Sequence, residues 1–324
     1  MILRRQTVVL LLLVPLAIFL GIAAGYREFG EGRDYFAYIM VYEDIRLTDT
    51  LDVVRFEPGY MLSVWGSKFI LGLQFEVFFS LLSMGALLVK FVLFSRHQRP
   101  IFTSVFYLCS WYPLHEYTQI RTAVALAFGL LAADFFFRRK YIVFSLLIAL
   151  AFSFHSSAII LAAAVPGAYM LSRFPLPLVI AVIAGMTIGV GGMAVAILSL
   201  AGQFNVLISA YVDNLEGYKV NIWSGANLLT LGLLAAINLS GSLKTRQENT
   251  FFILAVSALA AAIAFQTVPV LSHRIREMLL VFLIPLAFNG ALTKRATLQY
   301  ALATTLAGWN LYSALSQGII GGAS

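Results

Sequence analysis

Apolar runs of lipid-spanning length, parted by short basic clusters, recur from one end of this chain to the other. Thr7–Gly25, Tyr141–Phe154 and Pro175–Leu200 contain no charged residue at all. Of the 324 residues 60% are hydrophobic and 11% charged, and the mean hydropathy is +0.89. A soluble core cannot take up that much apolar surface. The runs are continuous and do not alternate, which favours helices over a membrane barrel. With about 20 residues per crossing and all spanning backbone hydrogen-bonded internally, the sequence predicts an all-α, polytopic integral membrane bundle of about ten helices. Residues 1–324 then form one membrane domain.

The net charge of +7 would suggest nucleic acid if it were dispersed. Instead most of it lies in clusters between apolar runs, at 96–99, 138–140, 244–246 and 294–295. Such clusters face the cytoplasm and orient helices. The run after Arg4-Arg5 is longer than the h-region of a signal peptide and reads as a first membrane helix. Residues 26–57 hold Glu28, Glu31, Asp34, Glu43, Asp44, Asp49, Asp52 and Glu57, eight of the 15 acidic residues. They are expected as an acidic periplasmic loop, with Tyr35–Tyr42 as a short interfacial helix. Residues 203–221 form a second periplasmic loop. Pro58–Leu73 is short for a crossing, and one arrangement that keeps Arg96–Arg99 cytoplasmic has it re-entrant or half-inserted. Cys109 stands alone, and no paired-cysteine, Asp-x-Asp or His-x-x-Glu-His pattern is present, so neither metal nor cofactor is expected.

On this topology Asp34, Glu57, His115, Glu116, Arg121, His155, Arg274 and Arg276 gather at the outer face, with His115–Arg121 forming an outer turn. Each has an ordinary explanation. Arg121 at a helix end could snorkel with Glu116 as its partner. His155 could bond a backbone carbonyl, Arg274 and Arg276 could pair with Glu277 at the interface, and Asp134 with Arg138 fits a helix pair. Convergence on one side of the membrane is what these separate explanations do not account for.

The series Gly32-Arg33-Asp34-Tyr35 with Tyr38 and Tyr42-Glu43, then Glu57-Pro58-Gly59-Tyr60, Gln119-Ile120-Arg121, Phe154-His155-Ser156-Ser157-Ala158 and His273-Arg274-Ile275-Arg276 resembles the EpsG family. Glu57 stands where that family's turn has aspartate, which keeps the carboxylate. These are membrane proteins of bacterial exopolysaccharide operons, associated with capsule and biofilm and regarded as polymerases of the Wzy type. The resemblance implies a GT-C-like helical bundle in the bacterial inner membrane. It also implies a glycosyltransferase that moves an undecaprenyl-diphosphate-linked glycan onto an incoming lipid-linked repeat unit at the periplasmic face.

That reaction needs cations for the diphosphate leaving group, and Arg121, Arg274 and Arg276 are the candidates. It also needs a base for the acceptor hydroxyl. Asp34, Glu57 and His155 are available; Asp34 is favoured, with His155 orienting acceptor or diphosphate. Tyr35, Tyr38, Tyr60, Tyr117, Tyr211 and Tyr218 are candidate sugar-stacking rings, against the alternative of an aromatic belt. Expected partners are the lipid-linked oligosaccharide, membrane lipid and a chain-length co-polymerase, with no nucleic acid. A transporter or flippase of lipid-linked sugars, or a non-catalytic subunit of a synthase complex, are the competing readings. The absence of a repeat between the two halves weighs against a transporter.

Overall fold

The computed structural model describes residues 2–27, 33–46, 56–202, 220–290, 293–317 and 319. Among them every regular element is helical: α1 (Ile2–Gly25), α2 (Arg33–Asp44), α3 (Pro58–Trp65), α4 (Phe75–Phe94), α5 (Pro100–Ser110), α6 (Ile120–Phe137), α7 (Tyr141–Phe154), α8 (Ile160–Leu171), α9 (Leu176–Gly202), α10 (Gly225–Ser240), α11 (Arg246–Ala264), α12 (Pro269–Leu280), α13 (Ile284–Ala287) and α14 (Lys294–Ser316). Five of them contain stretches long and apolar enough to cross a membrane: Gln6–Gly25, Phe75–Phe94, Ile120–Phe137, Leu176–Met193 and Arg246–Ala264. Pro100–Ser110, Tyr141–Phe154, Ser156–Leu171 and Gly225–Ser240 are apolar but shorter. The chain divides into two compact units, Met1–Ala162 with Ala287–Gly290 and Tyr300–Ser324, and Ala163–Leu286 with Ala291–Gln299.

In the first unit α1 packs on α4, α4 on α6, α6 on α7, and α3 on α7. The α1–α4 contact is close because Gly25 has no side chain: a Cβ there would stand 2.3 Å from the Glu76 carbonyl oxygen. Pro58 and Pro100 open α3 and α5, where a missing N–H has no consequence. After α3 the backbone widens into a π-turn over Gly66–Ile70. Together these make a helical piece too short to cross about 30 Å of hydrocarbon by itself. Lys68 in that turn donates to the Tyr42 and Glu43 carbonyls, each at 2.7 Å, closing the C-terminus of α2. The expected Asp134–Arg138 helix pair is present at 3.0 Å, and Arg96 joins it at 2.9 Å. That bridge ties the C-terminal end of α6 to the basic cluster after α4.

The segment after α5 differs from the expectation. The sequence places His115–Arg121 as an outer turn, with Glu116 as a partner for Arg121 only under the ordinary snorkelling explanation. In the structure His115 and Glu116 are fully buried, and Glu116 pairs with Lys90 at 2.5 Å. The reason is electrostatic: a lysine inside the apolar α4 needs a counter-ion at its own depth, and α5 is only 11 residues long, about 16 Å, so the chain turns back inside the bundle.

In the second unit α11 packs against α9, α10 and α12. α10 begins at Ser224, whose hydroxyl accepts the Asn227 N–H. α11 begins at a reciprocal Thr245–Glu248 capping box. Leu178, Ile180, Met186, Ile188 and Met193 on α9 are exposed, an apolar surface suited to lipid.

Candidate functional site

Glu57 is the organising group of the first unit. It sits in extended backbone just before Pro58, φ −64° and ψ 148°, so its side chain stands off the N-terminus of α3. α7 ends at His155, whose own backbone is extended (φ −155°, ψ 118°), and a 3-10 turn over Ser156–Ile159 follows. The break leaves the Ser156 N–H without a helical acceptor. It donates to Glu57 Oε1 at 3.1 Å. His155 Nδ1 lies 3.1 Å from the same oxygen, while Glu57 Oε2 is paired with Arg121 Nη1 from the first turn of α6.

Close packing of α3 on α7 brings these groups together. A Cβ on Gly59 would meet the Ser153 carbonyl oxygen at 2.8 Å, so only glycine lets the two backbones approach this far. Arg121 is held from its other side by rings: its guanidinium carbon lies 4.2 Å from the Phe56 centroid and 5.7 Å from that of Tyr38. Its Nε reaches the Tyr38 hydroxyl at 3.5 Å. The side chains of Arg121, Glu57 and His155 are 19%, 17% and 6% exposed. The site is therefore largely shielded, with Arg121 and Glu57 still touching the outside.

Burial by itself pushes the Glu57 carboxyl up. The His155 hydrogen bond, the Arg121 charge and the Ser156 N–H outweigh it and hold the pKa at about 2. Glu57 is thus an ionised acceptor with little basicity. An ionised carboxylate can only accept, so Nδ1 carries the proton and, in the neutral ring, Nε2 presents a lone pair. The arrangement is an oriented imidazole base beside an anchored guanidinium whose Nη2 no described residue engages.

The candidates from sequence divide clearly. Glu57, Arg121 and His155 meet, with Tyr38 against them and Tyr60 behind Tyr38 at 5.4 Å. Asp34, on the first turn of α2, is exposed and makes no hydrogen bond or ion pair among the described residues. Tyr35, Tyr38, Tyr60 and Tyr117 are buried. Tyr35 donates to the Gly25 carbonyl at 2.8 Å, and its face is covered by the Arg27 guanidinium at 3.7 Å. These rings form walls, not open platforms for a sugar. Tyr211 and Tyr218 lie outside the described residues. Arg274 and Arg276 belong to the second unit, on α12.

Three participants were not singled out by sequence reasoning. Phe56 and the Ser156 N–H carry no signature, and Arg27 stood in the expected loop with nothing to tie it to Tyr35. The snorkelling explanation, which pairs Arg121 with Glu116, does not hold. Glu116 is near in sequence, yet Glu57, 64 residues away, is near in space.

An all-helical membrane protein with a buried carboxylate shared by a guanidinium and an imidazole is the class that fold and site define. The EpsG family model matches residues 10–317, nearly the whole chain, and the chain belongs to that family. No curated protein and no solved structure matches it.

Proposed function

We propose that this chain is a polysaccharide polymerase that transfers a glycan from a lipid diphosphate to the sugar hydroxyl of an incoming lipid-linked repeat unit, at the periplasmic face of the bacterial inner membrane. The observation that carries this reading is the Glu57–His155 pair set beside Arg121; membership of the EpsG family supports it.

In this reading His155 is the base and Glu57 orients it, which moves the base role away from the exposed Asp34. The acceptor hydroxyl gives its proton to Nε2, the new glycosidic C–O bond forms, and the bond from the anomeric carbon to the diphosphate oxygen breaks. The electron pair leaves with the diphosphate. Arg121 meets the charge that builds there, because a planar guanidinium with free N–H groups suits phosphate oxygens. In a shielded site one such donor contributes roughly 3 kcal/mol to the barrier. The carboxylate on its other edge fixes where it points.

Purified protein in lipid nanodiscs, given a synthetic undecaprenyl-diphosphate-linked repeat unit, is expected to form a ladder of products. No ladder from folded protein overturns the polymerase reading and returns the choice to a flippase or a non-catalytic subunit.

A further inference from the structure

The first unit holds a second ionic cluster that the reaction above does not use. Lys90 on α4 and Glu116 are both fully buried and 2.5 Å apart. Lys90 also donates to the Tyr107 hydroxyl at 2.8 Å, and that hydroxyl lies 2.6 Å from each oxygen of Glu116. A desolvated ion pair is on balance no more stable than apolar packing of the same volume. Stability does not account for it.

Glu116 lies in Trp111–Thr118, a run of turns and not a helix. Several of its backbone bonds span five residues, as in Tyr112 to Tyr107, Tyr117 to Tyr112 and Gln119 to Leu114. Such wide turns are uncommon and recur at functional places. His115 in the same segment is fully buried, and neither ring nitrogen has a hydrogen-bond partner. Unmet buried polar atoms are unfavourable.

α6 starts immediately after this segment, and Gln119 at its N-cap makes no side-chain capping bond. No side-chain cap pins the start of α6, and Arg121 lies on its first turn. Lys90 lies four residues before the end of α4 at Phe94, about 6 Å, and Arg96 two residues past that end, while Arg121 lies thirteen residues before Asp134, about 20 Å along α6. Since Arg96 and Asp134 are bridged, Lys90 sits about two turns closer to that bridge than Arg121 does.

We infer that Lys90, Tyr107 and Glu116 are positioning residues: by clamping Trp111–Thr118 to α4 and α5 they fix where Arg121 enters α6, and so hold it against Glu57 and His155. The inference rests on the polymerase reading. None of the three touches substrate; they act through Arg121.

The test is steady-state polymerisation in nanodiscs for Tyr107→Phe and for the double variant Lys90→Met/Glu116→Met, with thermal unfolding followed alongside. The double variant is expected to melt at or above the parent temperature, with kcat at least about tenfold lower and KM within about twofold. Tyr107→Phe is expected to lose kcat several-fold at unchanged KM. Parental kcat in either folded variant, or a raised KM at unchanged kcat, overturns the inference. If the double variant does not fold, Tyr107→Phe decides. The two readings fail differently. An inactive parent removes the polymerase reading, whereas an active parent, an inactive Arg121→Ala and a fully active double variant remove only the positioning role.

Discussion

His155 Nδ1 and Glu57 Oε1 stand 3.1 Å apart although 98 residues of chain separate them. The contact fixes a tautomer, because the ionised carboxylate accepts a hydrogen bond from Nδ1–H and leaves the Nε2 lone pair to act on a substrate. Neither residue achieves this by itself. Glu57 would be weakly basic and half-solvated, and His155 would be free to turn.

His155→Ala is expected to lower polymer formation by about 100- to 10,000-fold, the range for a lost general base. Glu57→Gln should fall in the same direction by a smaller factor, since the amide still orients the ring. Asp34→Asn should leave the rate within about twofold of the parent, because Asp34 is exposed and makes no hydrogen bond or ion pair among the described residues. A dead Asp34→Asn beside an active His155→Ala, in the nanodisc ladder assay, would reverse the assignment.

Arg121→Lys tests charge against shape. A lysine can meet Glu57 or a phosphate but not present a fork to both. A loss of about 100-fold in kcat, roughly 3 kcal/mol, is expected, with folded protein and unspent lipid-linked repeat in the assay. Parental turnover in Arg121→Lys would show that only net charge is needed.

Gly59→Ala adds a single carbon 2.8 Å from the Ser153 carbonyl oxygen. α3 must then move off α7, carrying Glu57 away from His155. Destabilisation of about 1–3 kcal/mol, typical of overpacking, is expected together with at least a tenfold fall in kcat. Thermal unfolding and turnover measured on the same preparation check whether the two losses appear together.

The Glu57 carboxyl also predicts a pH dependence of stability. Its folded pKa of about 2 lies below its ordinary 4.5, so its stabilising contribution is fully present above the unfolded value and is lost as pH falls from about 4.5 towards 2. Unfolding in detergent across that window should show a decline that Glu57→Gln lacks. Identical slopes for parent and variant would mean that Glu57 is not anchored as described.

Much of the fold was legible because lipid imposes a local rule. Every crossing segment must be apolar over its own length and satisfy its own backbone, so Phe75–Phe94 or Ile120–Phe137 can be read without knowing their neighbours. The break at His155 was equally local. The site was legible only in its members: Glu57, Arg121 and His155 could be nominated as unusual polar residues in apolar company. Their partners could not be, because no periodicity connects positions 57, 121 and 155. Lys90 shows the same limit. A lysine inside an apolar helix announces that a counter-ion exists, but nothing in the order of residues says that it is Glu116.

The sequence by itself determined the solvent this chain folds in, the positions of its long apolar helices and its kinship with the EpsG family, since composition, run length and motif order are properties of a line of residues. Tertiary structure alone decided which carboxylate serves which cation. Glu57 went to Arg121 and Glu116 to Lys90, because charges at low dielectric pair by distance in space, and that distance was set by how closely α3 approaches α7 and where the chain turns back after α5.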